Sequence, residues 1–274
     1  MTSLAISAPA PVTIGLRGLR RLAELVYPFA VLGVGWTLLA AVIDNPFALP
    51  TLPAVWERAQ EMWEAGQPFS GVRRLPEELV TTLGRILWAF AISLAIGVIV
   101  GVAIGRVRWV RSMLRPIISF AFPVPKLAIY PALVIVLGFG SSSKLALGVL
   151  EGTFPILLAS AAAASRVPTQ LVWSARSLGQ GPVDVARRVV LPAALPGILT
   201  GARVGLVGTI IGVFLAEMVV PSQGLGALMV NSYRRIDTPG VYVAVIAIGI
   251  IGYACDRTFL AARRRLLTWS TEDD

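Results

Sequence analysis

RVPTQLVWSARSLGQGPVDVARRVVLP, residues 166–192, is a polar, turn-punctuated segment held between two long apolar runs. Pro168 suits a first helical turn, and Gly179 suits the left-handed position at which a helix ends. Pro182 can open a second helix, with Asp184 in its first turn and Arg187 and Arg188 in its last. Those charges complement the helix dipole at both ends. The spacing therefore predicts a helix–turn–helix hairpin. A solvated connector and a DNA-binding hairpin share that outline, but a position between membrane spans argues against the second.

Outward from the hairpin, apolar runs dominate. A membrane helix needs roughly 20 mostly apolar residues, and six stretches meet that need: about 26–43, 86–105, 116–139, 144–164, 197–220 and 241–253 with its flanks. The 274 residues are 56% hydrophobic and 14% charged, with mean hydropathy +0.77. A soluble domain carries about a quarter charged residues, so composition argues against a water-soluble globule. The fold expected is all-α and polytopic, with about six transmembrane helices. The first run follows Arg17, Arg20 and Arg21 as a signal peptide would, yet it is too long and no Ala-x-Ala site follows; it is expected to stay as an anchor.

Charge fixes the expected orientation. Fifteen arginines fall on one side: Arg17, Arg20, Arg21, Arg106, Arg108, Arg111, Arg115, Arg166, Arg176, Arg187, Arg188, Arg257, Arg263, Arg264 and Arg265. Six cations fall on the other: Arg58, Arg73, Arg74, Lys144, Arg234 and Arg235. This positive-inside pattern predicts cytoplasmic termini and a cytoplasmic hairpin. It also accounts for the net charge of +9 without a nucleic-acid partner. The absence of histidine and the single Cys255 exclude an intrachain disulfide framework and argue against a His- or Cys-based metal site or an imidazole base.

The expected organisation is a cytoplasmic tail at 1–25, a first transmembrane helix at 26–44 and an outer segment at 45–82. A core follows at 83–258 with the loop 166–192, then a cytoplasmic tail at 259–274. Within the outer segment, 54–65 places Val55, Ala59 and Met62 near one helical face, with Glu57, Glu61 and Glu64 elsewhere, as in a short amphipathic helix. Gly97, Gly101 and Gly105 recur every four residues, and Gly201, Gly205, Gly208 and Gly212 follow a similar stripe. Such stripes let helices approach closely in lipid. Pro123, Pro125 and Pro131 each remove a backbone hydrogen bond and favour a bend. Irregular backbone at membrane depth is tolerated when it is shielded or lines a cavity, so this span is a candidate pathway wall. Four ionisable residues fall inside spans: Lys126, Glu151, Arg203 and Glu217. Such groups face the bundle interior and find partners. A Lys126–Glu151 pair near the path is expected, set against a snorkelling Lys126 and a helix-capping Glu151. Arg203 is either a solute contact or a partner for Glu217.

The loop also resembles a known signature. Permease subunits of bacterial ATP-binding-cassette importers carry a cytoplasmic E-A-A-x3-G-x9-I-x-L-P loop. Aligned on its glycine, this chain reads Trp173-Ser174-Ala175, Arg176-Ser177-Leu178, Gly179, then Val189-x-Leu191-Pro192, with the spacing kept. Trp173 and Ser174 replace the leading Glu-Ala, so no Glu contact carries over. PVPKLAIYPALVIVLGFG at 123–140, RRVVLPAALPGILTGAR at 187–203 and AEM with GLG at 216–226 resemble the branch serving nitrate, taurine and aliphatic sulfonates. Lys126 and Glu151 stand where that branch carries uncharged residues.

The resemblance implies a type I ABC importer permease (MetI-like) fold in the bacterial inner membrane. The loop 173–179 with 189–192 would couple to a cytoplasmic ATPase dimer, two permease copies would form the path as a homodimer, and an extracytoplasmic solute-binding protein would deliver a small anionic or zwitterionic solute. Pro123, Pro125, Lys126, Glu151, Arg203 and Glu217 are the path candidates. No cofactor and no enzymatic activity are expected of this chain. Its nearest phosphate-loop decoy, at 138–145, lacks the Gly before Lys144 and the Ser/Thr after it. The competing reading is an ion-coupled secondary carrier or channel using Lys126, Glu151 and Glu217.

Overall fold

The computed structural model describes residues 14–64 and 74–268. The expected tails fall partly outside these residues, at 1–13 and 269–274, as does Arg73 of the outer segment. Every regular element among the described residues is helical: α1 (Ile14–Ile43), α2 (Leu52–Glu64), α3 (Leu75–Arg106), α4 (Arg108–Ala121), α5 (Lys126–Leu137), α6 (Ser141–Arg166), α7 (Thr169–Ser177), α8 (Pro182–Val185), α9 (Leu191–Val219), α10 (Leu225–Arg234) and α11 (Thr238–Leu266). The chain forms two compact units that divide between Glu57 and Arg58.

In the first unit, α1 begins well before residue 26, so part of the expected tail is helical. The Trp36 indole donates to the Pro50 carbonyl at 2.9 Å and closes the turn after α1. The amphipathic helix expected at 54–65 is α2, which runs across the division, with Val55 and Trp56 before it and Ala59, Met62 and Trp63 after it. Val55 and Met62 are buried, Ala59 is half-buried, and Trp56 and Trp63 are exposed.

The second unit is a membrane bundle. Among its described residues, four helices are long and apolar enough to cross a bilayer: Leu75–Arg106, Ser141–Arg166, Pro182–Val219 and Thr238–Leu266. The stretch expected as one span at 116–139 is instead two helices, α4 and α5, bent by 99°. Pro123 and Pro125 between them cannot donate backbone hydrogen bonds, so the helix cannot run through. Counted as one broken span, this pair makes a fifth. The first expected span falls on α1, whose described apolar portion is the shorter helix Ala30–Ile43.

α6 lies at the centre, packed on one face by α3 and on another by α9. Small residues permit this approach. A Cβ added at Gly101 of α3 would meet the Leu157 carbonyl and Ser160 of α6, both at 2.6 Å. One added at Gly205 of α9 would fall on the Ile156 side chain and lie 2.8 Å from the Gly152 carbonyl. With lipid offering no hydrophobic drive between helices, such close packing is what holds them. Gly205→Leu should therefore destabilise the bundle by about 1–3 kcal/mol through overpacking. Thermal unfolding in detergent measures this against Gly249→Ala, where the added Cβ meets nothing within 4 Å. Equal melting of the two variants would contradict the packing argument.

Candidate functional site

The 166–192 segment forms a hairpin at one end of the bundle. α7 ends at Ser177 with Leu178 as its C-cap, and Gly179 takes φ +79°, the left-handed conformation expected of it. Its N–H donates to the Arg176 carbonyl at 2.9 Å, and the Gln180 N–H donates to the Ala175 carbonyl at 3.2 Å. These two bonds make a complete Schellman cap. The second helix departs from expectation. It does not end at Arg187 and Arg188 but passes through a π turn, Ala186–Val190, directly into α9. Pro192 lacks an N–H and its ring crowds the carbonyl four residues back. The wider turn, closed by Leu191 N–H to the Ala186 carbonyl, accommodates it without ending the helix.

The hairpin has two faces. Val172, Ala175, Val185 and Val190 are buried in one cluster with Ala164, Val167, Ala194 and Ile198, and half-buried Val189 and Leu191 pack against it. The other face exposes Leu171, Trp173, Val183 and Leu178, the last 81% accessible. Ser174, Arg176, Ser177 and Pro192 are exposed with it. Arg106 closes the base of the hairpin by donating to the carbonyls of Ala164 and Val167 at 3.4 and 3.3 Å. Arg111 donates to the Ile104 and Gly105 carbonyls and to the Ser165 hydroxyl. The basic residues between α3 and α4 thus gather at the same end as the hairpin.

A second constellation surrounds the break between α4 and α5. Lys126 Nζ lies 3.5 Å from Glu151 Oε2 of α6. The same ammonium stands 5.2 Å from the centre of the Phe154 ring and 5.9 Å from that of Phe122. Pro123 and Pro125 are exposed in the break itself. The first N–H groups of α5 open at this point, with no side-chain cap.

The remaining two path candidates go elsewhere, and they do not pair with each other. Arg203 of α9 makes a two-pronged bond to Asp256 of α11, at 2.6 and 2.8 Å. Glu217 is 0% accessible and pairs with Arg85 Nη1 of α3 at 2.7 Å. Its carboxylate also accepts from the Thr82 hydroxyl at 2.9 Å and from the Gly226 N–H at 3.1 Å. Arg85 further donates to Ser141 and to the Gln223 carbonyl at 2.8 Å. Lys144, counted above among the outer cations, is buried too; its Nζ donates to the Ser222 hydroxyl at 2.6 Å. Glu78 accepts from the Gly224 N–H. This network ties α3, α6 and α9 to the turn before α10 at the end opposite the hairpin. Sequence reasoning missed Arg85, because it lies one residue before the expected start of its span and so escaped the census of buried charges.

Outside the spans, Arg58 of α2 donates to Asp237 from Nε at 2.9 Å and Nη2 at 2.7 Å, and to Glu61 at 2.6 Å. Burial opposes the guanidinium charge, but the bonds to Asp237 and Glu61 outweigh it and hold its pKa above the ordinary value. Asp237 in turn caps α11 through the Gly240 N–H at 3.1 Å.

Apolar spanning helices, a broken span with charges at its break and a capped hairpin at one end define a multi-pass membrane transport subunit. The chain belongs to the family described as binding-protein-dependent transport system inner membrane component, whose model matches residues 93–266. Members are permease subunits of ABC transporters rather than enzymes, and the self-contained carrier reading gives way to this membership. A probable ABC transporter permease protein of Brucella melitensis is 33% identical over 241 residues, which cover 88% of this chain and 94% of that protein. The taurine transport system permease protein of Escherichia coli is 33% identical over 242 residues, covering 88% and 87%. Among solved structures, an inward-facing form of the MetNI methionine ABC transporter matches with a TM-score of 0.52 at 21% identity. It covers 77% of this chain and 98% of that one, and it shares the fold.

Proposed function

We propose that this chain is the permease subunit of an ATP-driven importer for a small anionic or zwitterionic solute, of the kind represented by taurine, aliphatic sulfonates and nitrate. The observation that carries the reading is the two-faced hairpin. One face is anchored in the bundle by Val172, Ala175, Val185 and Val190. The other offers Leu171, Trp173, Leu178 and Val183 to a partner. Exposed apolar side chains clustered on a rigid turn mark an interaction surface. The partner is a cytoplasmic ATPase subunit, and the rigid turn transmits its closure to α9 without a break in the helix. Both termini lie in the cytoplasm, where the arginine bias puts the hairpin. A second copy of the chain completes the path as a homodimer, with Pro123, Pro125, Lys126 and Glu151 at its wall, and an extracytoplasmic binding protein delivers the solute. Nucleotide and the loaded binding protein bias the inward- and outward-facing states of this two-state pore.

Co-expression with the ATPase and binding-protein chains of its own source organism tests the proposal. The expected result is a co-purifying complex whose uptake into proteoliposomes stops when ATP is withheld. Failure to associate with any ATPase chain, with uptake that persists without ATP, would overturn it.

A further inference from the structure

We propose that Lys126 and Glu151 form an exchangeable ion pair that selects small zwitterions, molecules carrying an acid group and an ammonium on one short chain, over simple anions. The proposal rests on the transport reading above and assigns its solute class. At about 1.5 Å per residue, Glu151 lies about 15 Å from the Ser141 end of α6 and about 22 Å from the Arg166 end, near the middle of the span. A charge at that depth is costly unless paired. The pair is nevertheless loose. Its 3.5 Å separation exceeds the about 2.7–2.9 Å of a charge-assisted hydrogen bond. The two side chains are 15% and 27% accessible, so neither is sealed off, and Lys126 opens α5 at the break after α4. Lys126 hangs on a flexible four-carbon stem and can swing away.

Charge conservation then discriminates between solutes. A simple anion that captures Lys126 strands the Glu151 carboxylate, and breaking a shielded pair by removing one partner is heavily penalised. A zwitterion replaces both partners at once. Its acid group takes Lys126, and its ammonium takes Glu151 and the faces of Phe154 and Phe122, which already hold a cation at 5.2 and 5.9 Å. No charge is left alone. Rejection of the anion works through the unpaired group it creates, and the resting pair keeps the site neutral when empty.

The test uses the full chain in lipid nanodiscs, without binding protein, and equilibrium binding of radiolabelled taurine and isethionate. Isethionate keeps the sulfonate and the carbon chain but has a hydroxyl in place of the ammonium. Taurine is expected to bind more tightly by about tenfold or more. Glu151→Gln should abolish that preference by weakening taurine and strengthening isethionate. Lys126→Met should lose both, while thermal unfolding shows each variant still folded. Equal binding of the two solutes, binding of neither, or an unchanged preference in Glu151→Gln would overturn the proposal. Failure of the importer reading shows separately: a taurine preference in nanodiscs with no ATP-dependent uptake by the complete system would sink that reading and leave the pair's selectivity standing.

Discussion

Arg85→Leu is expected to leave little folded protein in the membrane. Glu217 is fully buried, and Arg85 is its ion-pair partner at 2.7 Å. The Thr82 hydroxyl and the Gly226 N–H would still donate to the carboxylate, but they bring no compensating charge. Breaking a buried pair by removing one partner costs about 3–5 kcal/mol, a large share of the about 5–15 kcal/mol that holds a domain folded. The loss should also loosen the turn at 221–224, because the Arg85 guanidinium donates to the Gln223 carbonyl there. The double variant Arg85→Leu with Glu217→Leu should recover much of the yield, since replacing both charges by apolar groups is often neutral. Size-exclusion profiles of detergent extracts and thermal unfolding read both outcomes. A normal profile for the single variant would show that the network carries little stability.

Gly179→Asp is expected to separate hydrolysis from transport. The added Cβ meets nothing within 4 Å in the chain itself, and its backbone sits at φ +79°. An L-residue there costs about 1–2 kcal/mol, least for Asp and Asn, which the buried anchors of the hairpin can absorb. The side chain therefore projects from the turn next to exposed Leu178, on the face proposed to meet the ATPase subunit. Uptake should fall by about tenfold or more, the equivalent of about 1.4 kcal/mol of lost docking. Membrane insertion and basal ATP hydrolysis should remain. Coupled uptake at the normal rate, measured in proteoliposomes alongside hydrolysis, would remove the turn from the docking surface.

The two variants address residues that differ in how plainly they can be read. Gly179 was legible because its role is local: a glycine three residues after Arg176, before a proline-opened helix, has few other uses. Lys126 and Glu151 were legible as candidates because charge in an apolar run is expensive wherever it falls. Their aromatic neighbours were not. Phe122 and Phe154 are ordinary apolar residues until the break at Pro123 and Pro125 turns the chain and brings the first beside α6. The course of α8 was misread for a related reason. Arg187 and Arg188 suit a last helical turn by local charge rules, yet one π turn lets the helix continue to Val219.

Composition and periodicity alone determined that this is an all-helical membrane protein, because a bilayer penalises every polar group along the whole length of a span, and the charge bias predicts its orientation. The same rules located the hairpin and the glycine stripes, whose spacing is a property of single helices. What only the tertiary structure decided is which charges in and beside the spans belong to each other. Glu217 pairs with Arg85, 132 positions away, and Arg203 with Asp256, 53 away, while Lys126 faces Glu151. A buried charge needs a partner within a few ångströms, but its cost does not depend on which helix supplies that partner. Helix packing chooses among the candidates, and here the close approach of α3, α6 and α9 makes the choice.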